Sequence, residues 1–261
     1  MVHSSLRSMG HVVGGAPTVV DALLEVLGPA GTLVGPSFNY ETALDPNFVL
    51  DLPNTPSDMG AIADEIRRRA GNNRSRHLTH SLSAIGPQAE TIVNADGKTA
   101  WSSDGPLGTV FTLDGRFLLL GVTYQAFTAC HVLEVAFRLH FRKLDTLRRR
   151  LRRSDGSLVP FDSVVYLRDA GYPGYDFNRP GQAMEVAGIS AVAPVGNAIA
   201  RLIPAQPMRD FVTPLVKCDP VYLLRQESGV TPLNRGETLA DSRGILSVVD
   251  PRNVFRRPTC A

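Results

Sequence analysis

GRFLLLGVTYQAFTACHVLEVAF, Gly115 to Phe137, is the stretch that decides the fold. Phe117 to Leu120 is a continuous apolar run closed by Gly121, the pattern of a strand covered on both faces. Thr128 then opens a helical pattern in which Thr128, His131 and Glu134 fall three residues apart, so their side chains share one face. A strand thus delivers a hydroxyl, an imidazole and a carboxylate onto one stripe. Histidine, with an ordinary pKa of roughly 6.5, takes up a proton near neutrality, and a neighbouring carboxylate raises that pKa and orients the ring. The residues alone leave two readings open. One is a general base with its carboxylate; the other is a plain helix N-terminus in which Thr128 caps, His131 is a satisfied polar residue and Glu134 faces water.

Three further blocks run in the same order: VHSSLRSMGHVVGG (Val2 to Gly15), GTLVGPSFN (31–39) and MGAIADEIRRRAGNNRSRHLTHSLSAIGPQA (Met59 to Ala89). Together with LLLGVTYQAFTACHVLE they resemble the aminoglycoside 3-N-acetyltransferase family, enzymes that acetylate antibiotic amines with acetyl-CoA. A thinner likeness follows in VGNAIARLIPAQPMRDFV, Val195 to Val212. The resemblance implies an α/β fold with a mixed central β-sheet flanked by helices, distinct from the common GNAT fold. It implies direct acetyl transfer to the 3-amino group with His131 as general base and with Glu134 and Thr128 beside it. It places Ser4, Ser5, Leu6, Arg7 and Ser8 on one wall of the coenzyme A channel, and Ser81 and Leu82 on the other. Two departures from the family pattern stand out. Leu78 replaces a proline after His77, and Ser103-Asp104-Gly105-Pro106-Leu107 lacks the serine of the family's "G-x-x-S-P-L".

At 261 residues and 43% hydrophobic content the chain is long enough for one substantial core. We expect an acetyltransferase domain over 1–225 and a polar C-terminal tail over 226–261. A net charge of +2 gives no general electrostatic case for nucleic acid or membrane partners. Basic residues do cluster, as Arg67 to Arg69 and as RKLDTLRRRLRR, Arg142 to Arg153. A solvated helix face is the plain reading of both, with phosphate binding or an oligomer contact open for the second. Cys130, Cys218 and Cys260 lack metal-ligand spacing, which argues against a disulfide framework or a zinc site. No apolar run approaches the ~20 residues that span a bilayer, and there is no secretory h-region. A cytoplasmic monomer or homodimer without metal is the expectation. The start at Met1 falls where relatives carry a further helix and half strand upstream.

Along the chain, Ser4, Ser5 and Ser8 with Gly10, Gly14 and Gly15 form a small-residue loop suited to offering backbone N–H groups to a phosphate or pantetheine amide. A helix is predicted from Thr18 to Leu27, stopped by Gly28, then a strand from Gly31 to Gly35. The loop from Asn39 to Pro56 carries Tyr40, Glu41, Asp45 and Asp51, carboxylates suited to a polycationic amine or simply to turns. Asp58 is the predicted cap of a helix ending at Ala70. His80 reads as a packed loop histidine, and Ser83 to Gly86 as a turn into a helix. Ser154 to Tyr166 reads as a hairpin around Asp155-Gly156. Ala170 to Gly181 is a loop whose Asp176, or Asp169 just before it, completes the acidic cleft or orients His131. Gly188 to Val195 reads as β, Asn197 to Ile203 as helix, and 206–224 as including a terminal helix. Two other functions stay in view: acylation of another primary amine, and coenzyme A binding without turnover.

Overall fold

Phe117 and Leu119 point to one face of their strand and Leu118 and Leu120 to the other, and each face meets its own apolar cluster. That double coverage is why the run carries no alternation. The computed structural model describes residues 1–226; the tail beyond them, with its strand-like run 245–249, lies outside the described residues. In chain order the strands are β1 (Val2–Ser4), β2 (Leu33–Pro36), β3 (Val49–Leu50), β4 (Leu82–Ile85), β5 (Arg116–Leu120), β6 (Arg142–Arg152), β7 (Leu158–Arg168), β8 (Ala191–Val195) and β9 (Ala198–Pro204). The helices are α1 (Gly15–Leu27), α2 (Ala61–Ala70), α3 (Ala89–Val93), α4 (Pro106–Thr112), α5 (Cys130–Ala136), α6 (Asn178–Val186) and α7 (Ala205–Cys218).

The sheets are mixed and helix-flanked, as expected. The largest runs β1-β5-β9-β8, with β1 parallel to β5 and the other pairs antiparallel. A two-stranded sheet pairs β2 with β4, and a third joins β3, β6 and β7. On one side of β5, Leu120 and Val2 pack with Val19 and Val20 of α1 and Ile62 and Ile66 of α2. On the other, the Phe117 ring lies 5.3 Å from both Phe111 and Phe127, above Met208 and Val212 of α7. Truncating a ring so enclosed costs about 3–5 kcal/mol.

Several local readings are corrected. The run Arg142 to Arg153 is no helix face: Arg142–Arg152 form β6, an eleven-residue strand paired throughout with β7 across the Asp155-Gly156 turn. Its leucines at 144, 147 and 151 mimic a helical period; the β-rich partner strand overrides them. The predicted helix from Asn197 to Ile203 is likewise strand from Ala198 on, with Gly196 (φ 59°) and Asn197 turning the β8–β9 hairpin. Ser83 to Ile85 belongs to β4, not to a turn. Asp58 does not cap α2: Gly60 holds that position, and the Asp58 carboxylate accepts from Thr42 Oγ1. Helix α1 begins at Gly15, with Pro17 inside its first turn. Cys218 is not a free thiol, which corrects the reading of three unbridged cysteines; Cys130 is buried and free.

Candidate active site

Two loops leave the carboxyl ends of the parallel neighbours β1 and β5, the place where open α/β sheets hold ligands. The first, after β1, runs into a turn at Arg7–Met9. Ser4, Ser5, Leu6 and Arg7 line a cleft of about 560 Å³ there, closed opposite by Gly60 and Ala61 at the start of α2. Ser8 stands behind them, its hydroxyl donating to Ser5 Oγ at 2.8 Å. The second loop leaves β5 at Gly121, whose φ of 72° and close approach to Ser8 and Ser5 require glycine: a Cβ would sit 3.0 Å from Ser8 Cβ.

That second loop leads into α5. Thr128 does not cap the helix; its hydroxyl meets His3 Nε2 of β1 at 3.2 Å, tying the two loops together. His131 and Glu134 do form the pair their spacing predicts. His131 Nδ1 lies 2.7 Å from Glu134 Oε2, and Glu134 is fully buried rather than facing water. The pair has a third member, Arg142 from the first position of β6. Its Nε donates to the same Oε2 at 2.7 Å, its Nη2 also reaches that oxygen, and Nη1 donates to the Tyr166 carbonyl. Nη2 also stands 2.6 Å from His131 Nδ1. An imidazole lone pair facing a carboxylate at 2.7 Å would be repulsive, so the Nδ1 proton belongs to the bond with Glu134 and the Arg142 hydrogens to Oε2. That assignment leaves Nε2 with its lone pair; it has no hydrogen-bond partner among the described residues.

Burial pushes the His131 imidazole below its ordinary value, with Glu134 pulling it up and Arg142 adding to the fall. Burial also works against the Glu134 anion, but His131 and Arg142 outweigh it and hold that carboxyl below the usual range. The site therefore presents a neutral imidazole beside an ionised carboxylate.

An aromatic wall surrounds this trio. The His131 ring lies 4.5 Å from Trp101, 5.1 Å from Tyr175 and 5.0 Å from Phe177. Beyond Trp101 the wall continues through His80 at 4.2 Å to Tyr40, a further 4.7 Å on and about one third exposed. His80 is the packed histidine expected, with Thr79 Oγ1 at 2.7 Å from its Nδ1. His77 donates from Nε2 to the Val164 carbonyl at 3.0 Å, which anchors this segment on β7.

Other expected residues lie elsewhere. Ser81 and Leu82 are buried and do not face the Ser4–Ser8 cleft: Ser81 Oγ bonds Arg74 Nε and the Ser37 carbonyl, and Leu82 packs in the core. Asp176 does not touch His131; it is 5% exposed and accepts from the Arg179 N–H at 3.2 Å at the start of α6. Asp169 pairs with Lys143 at 3.5 Å on the surface. Asp45 is exposed, its carboxylate accepting from the Asn47 N–H. Cys130 is fully buried beside Glu134, and burial lifts its thiol well above the ordinary range. Sequence reading missed Arg142, hidden in what looked like a surface charge run, and Trp101 and Tyr175, which no local pattern marks. Among the described residues no group of three or more His, Cys, Asp or Glu side chains is placed to hold a metal, and no helix is long and apolar enough to cross a membrane.

Comparison with known proteins supplies the context. Residues 1–217 match the family described as aminoglycoside 3-N-acetyltransferase. The chain is 32% identical over 232 residues to aminoglycoside N(3)-acetyltransferase IV of Salmonella sp, covering 88% of this chain and 84% of that one. A crystal structure of aminoglycoside acetyltransferase AAC(3)-IVa, a histidine-to-alanine variant in complex with a gentamicin, superposes with a TM-score of 0.67 at 30% identity, over 86% of this chain and 83% of that one. AAC-VIa bound to sisomicin superposes with a TM-score of 0.73 at 27% identity, over 83% and 90%.

Proposed function

Because the chain belongs to the aminoglycoside 3-N-acetyltransferase family of acyltransferases, we propose that it transfers the acetyl group of acetyl-CoA directly to the 3-amino group of an aminoglycoside, with His131 as general base. The observation that carries this reading is the Nε2 of His131, without a hydrogen-bond partner among the described residues and oriented by Glu134 on Nδ1 at 2.7 Å, in a pocket walled by Trp101, Tyr175 and Phe177.

The Ser4–Arg7 cleft fits the coenzyme A arm, since its serine hydroxyls and the backbone amides of the turn suit an amide-and-phosphate chain. The thioester supplies an activated acetyl carbon. As the amine nitrogen bonds to that carbon, His131 Nε2 takes the N–H proton, and Glu134 stabilises the imidazolium. When the C–S bond breaks, His131 gives the proton to the departing sulfur, so the products are the N-acetyl amide and free thiol. Cys130 takes no part, being buried with a raised thiol pKa on a neighbouring helical position that points about 100° away from His131. Tyr40 at the open end of the aromatic wall and Asp45 on its loop are the proposed antibiotic contacts, through cation–π and ammonium–carboxylate attraction.

Thiol-release kinetics with an aminoglycoside panel test this reading. His131→Ala is expected to lose on the order of 10²–10⁴ in rate with its circular dichroism and melting curve intact. Near-normal turnover by the folded variant refutes it.

A further inference from the structure

Arg142 is the member of the trio to which acetyl transfer, as described, gives no task. It opens a strand that is otherwise largely exposed, yet its side chain turns inward and is only 3% accessible. Its guanidinium bonds Glu134 Oε2 through two nitrogens and the Tyr166 carbonyl through the third, and stands 5.1, 5.3 and 5.1 Å from the ring centres of Trp101, Tyr166 and Tyr175. A cation so completely desolvated and so completely paired is costly to bury. A surface role explains none of these contacts.

We propose that Arg142 is a positioning residue of the acyl transfer: its fork fixes the Glu134 carboxylate so that Oε2 receives the Nδ1–H of His131, and its charge opposes retention of the proton on the imidazole. This deepens, and rests on, the reading of His131 as the general base. With His131 neutral, Glu134 and Arg142 cancel. When the amine proton arrives at Nε2 the trio carries one net positive charge, with guanidinium Nη2 only 2.6 Å from the imidazolium Nδ1. The one carboxylate oxygen that both cations share cannot neutralise both. His131 therefore holds its proton weakly and passes it on when the C–S bond breaks, which closes the catalytic cycle without bulk base.

The groups that face His131 are few enough to assign the effect. Helix α5 brings Glu134, with Cys130 buried beside that carboxylate, β6 brings Arg142, β7 brings Tyr166 beneath the guanidinium, the segment before α6 brings Tyr175, and His80 stands across Trp101. The thiol and both phenols are held above their ordinary values by burial, and the His80 imidazole below its own. All four are uncharged at neutral pH, and Arg168 of β7 lies over the Tyr175 ring at 5.7 Å, so Glu134 and Arg142 are the charged groups in direct contact with the imidazole. Lysine would supply the charge without the planar fork that seats two nitrogens on one oxygen.

The experiment is the pH dependence of kcat and kcat/KM for thiol release in the wild-type protein, Arg142→Met, Arg142→Lys and His131→Ala. Arg142→Met is expected to raise the midpoint of the acid limb by about one pH unit or more, because a like charge beside the imidazole has gone. Arg142→Lys is expected to leave that limb within a few tenths of a unit while kcat falls at least about tenfold and both KM values stay within about twofold, a split expected where orientation alone is lost. Should Arg142→Met fail to fold, the lysine variant decides. An acid limb unmoved in folded Arg142→Met, or wild-type kcat in Arg142→Lys, overturns the proposal. Activity retained in His131→Ala strikes instead at the general-base reading, so the two failures are told apart.

Discussion

Lowering the pH from 6 to 5 is expected to cost this protein at least about 2 kcal/mol of stability. The reason is an unusual concentration of buried, neutral histidines. Burial lowers His3 from 6.5 to about 3, with the nearby chain-terminal ammonium adding to the fall. Burial likewise takes His77 down to about 4, against a small opposing contribution from the Val164 carbonyl. His80 is held well below 6.5 by burial and by the charges of its neighbours, and His131 is lowered as well. Each folded-state pKa lies below the unfolded value near 6.5, so the unfolded chain takes up protons that the folded chain refuses, and stability present above pH 6.5 is lost as pH falls. For His3 and His77, whose folded pKa values are about 3 and about 4, that linkage amounts to about 1 kcal/mol each at pH 6 and about 2 kcal/mol each at pH 5.

His3 and His77 together therefore lose about 2 kcal/mol over this single pH unit, and His80 and His131, which are lowered as well, add to the loss in the same direction, against a total stability of roughly 5–15 kcal/mol. The depressed carboxyls Asp64, Glu65 and Glu134 act with the same sign but chiefly below pH 5. Asp176, raised by burial, offsets a little of the loss. Urea unfolding followed by circular dichroism at pH 7, 6 and 5 reads the effect directly, and its slope counts the protons taken up. His3→Gln should lower that count by about one. A loss under about 1 kcal/mol between pH 6 and 5 refutes the picture of neutral histidines packed in the core, and with it the charge state assigned to the aromatic wall around the base.

Three further outcomes follow from the site. Incubation with acetyl-CoA alone should leave Cys130 unmodified in intact-protein and peptide mass spectra, because its thiol is enclosed and its pKa raised; an acetylated Cys130 overturns direct transfer. The aminoglycoside KM should climb with salt far more steeply than the acetyl-CoA KM, since ammonium–carboxylate attraction is screened as the Debye length shortens from ~10 Å at 0.1 M to ~3 Å at 1 M. Asp45→Asn should raise the antibiotic KM by about two- to fivefold, the worth of one exposed ion pair, and leave acetyl-CoA affinity unchanged; loss of cofactor affinity instead puts Asp45 on the wrong side of the cleft.

What was legible in the sequence was local. The β5 run is continuous because both faces are covered, Gly28 and Gly71 stop their helices at positive φ, and Asp155-Gly156 turns its hairpin, each a property of a few adjacent residues. The His131–Glu134 bond belongs to the same class, since three residues on a helix fix the spacing. The rest depended on partners distant in the chain. β9 was misread although Gly196-Asn197 is itself a two-residue hairpin signal, because its apolar spacing also suits a helix and only the slot between β5 and β8 decides. Thr128 kept its place on the stripe but found His3, 125 residues away, rather than the helix end. Arg142 is the sharpest case, since a charge run reads as solvent-facing unless one knows that its first residue enters beneath three aromatic rings.

Those long-range contacts also bring together the loops that carry the proposed base and the proposed coenzyme A cleft. β1 and β5 are register-locked, with Ser4 opposite Leu120, so the loops that leave them start side by side. Gly121 lets the second loop pass within van der Waals reach of Ser5 and Ser8, and the His3–Thr128 bond then fixes where α5 begins. Helix α5 spans only seven residues, too few to hold its direction unaided. Its orientation comes from the buried side chains beneath it and from Arg142 pulling on Glu134 out of a different sheet. The position of Nε2 relative to the Ser4–Arg7 cleft is thus set by the four-stranded sheet on one side and the β6–β7 hairpin on the other.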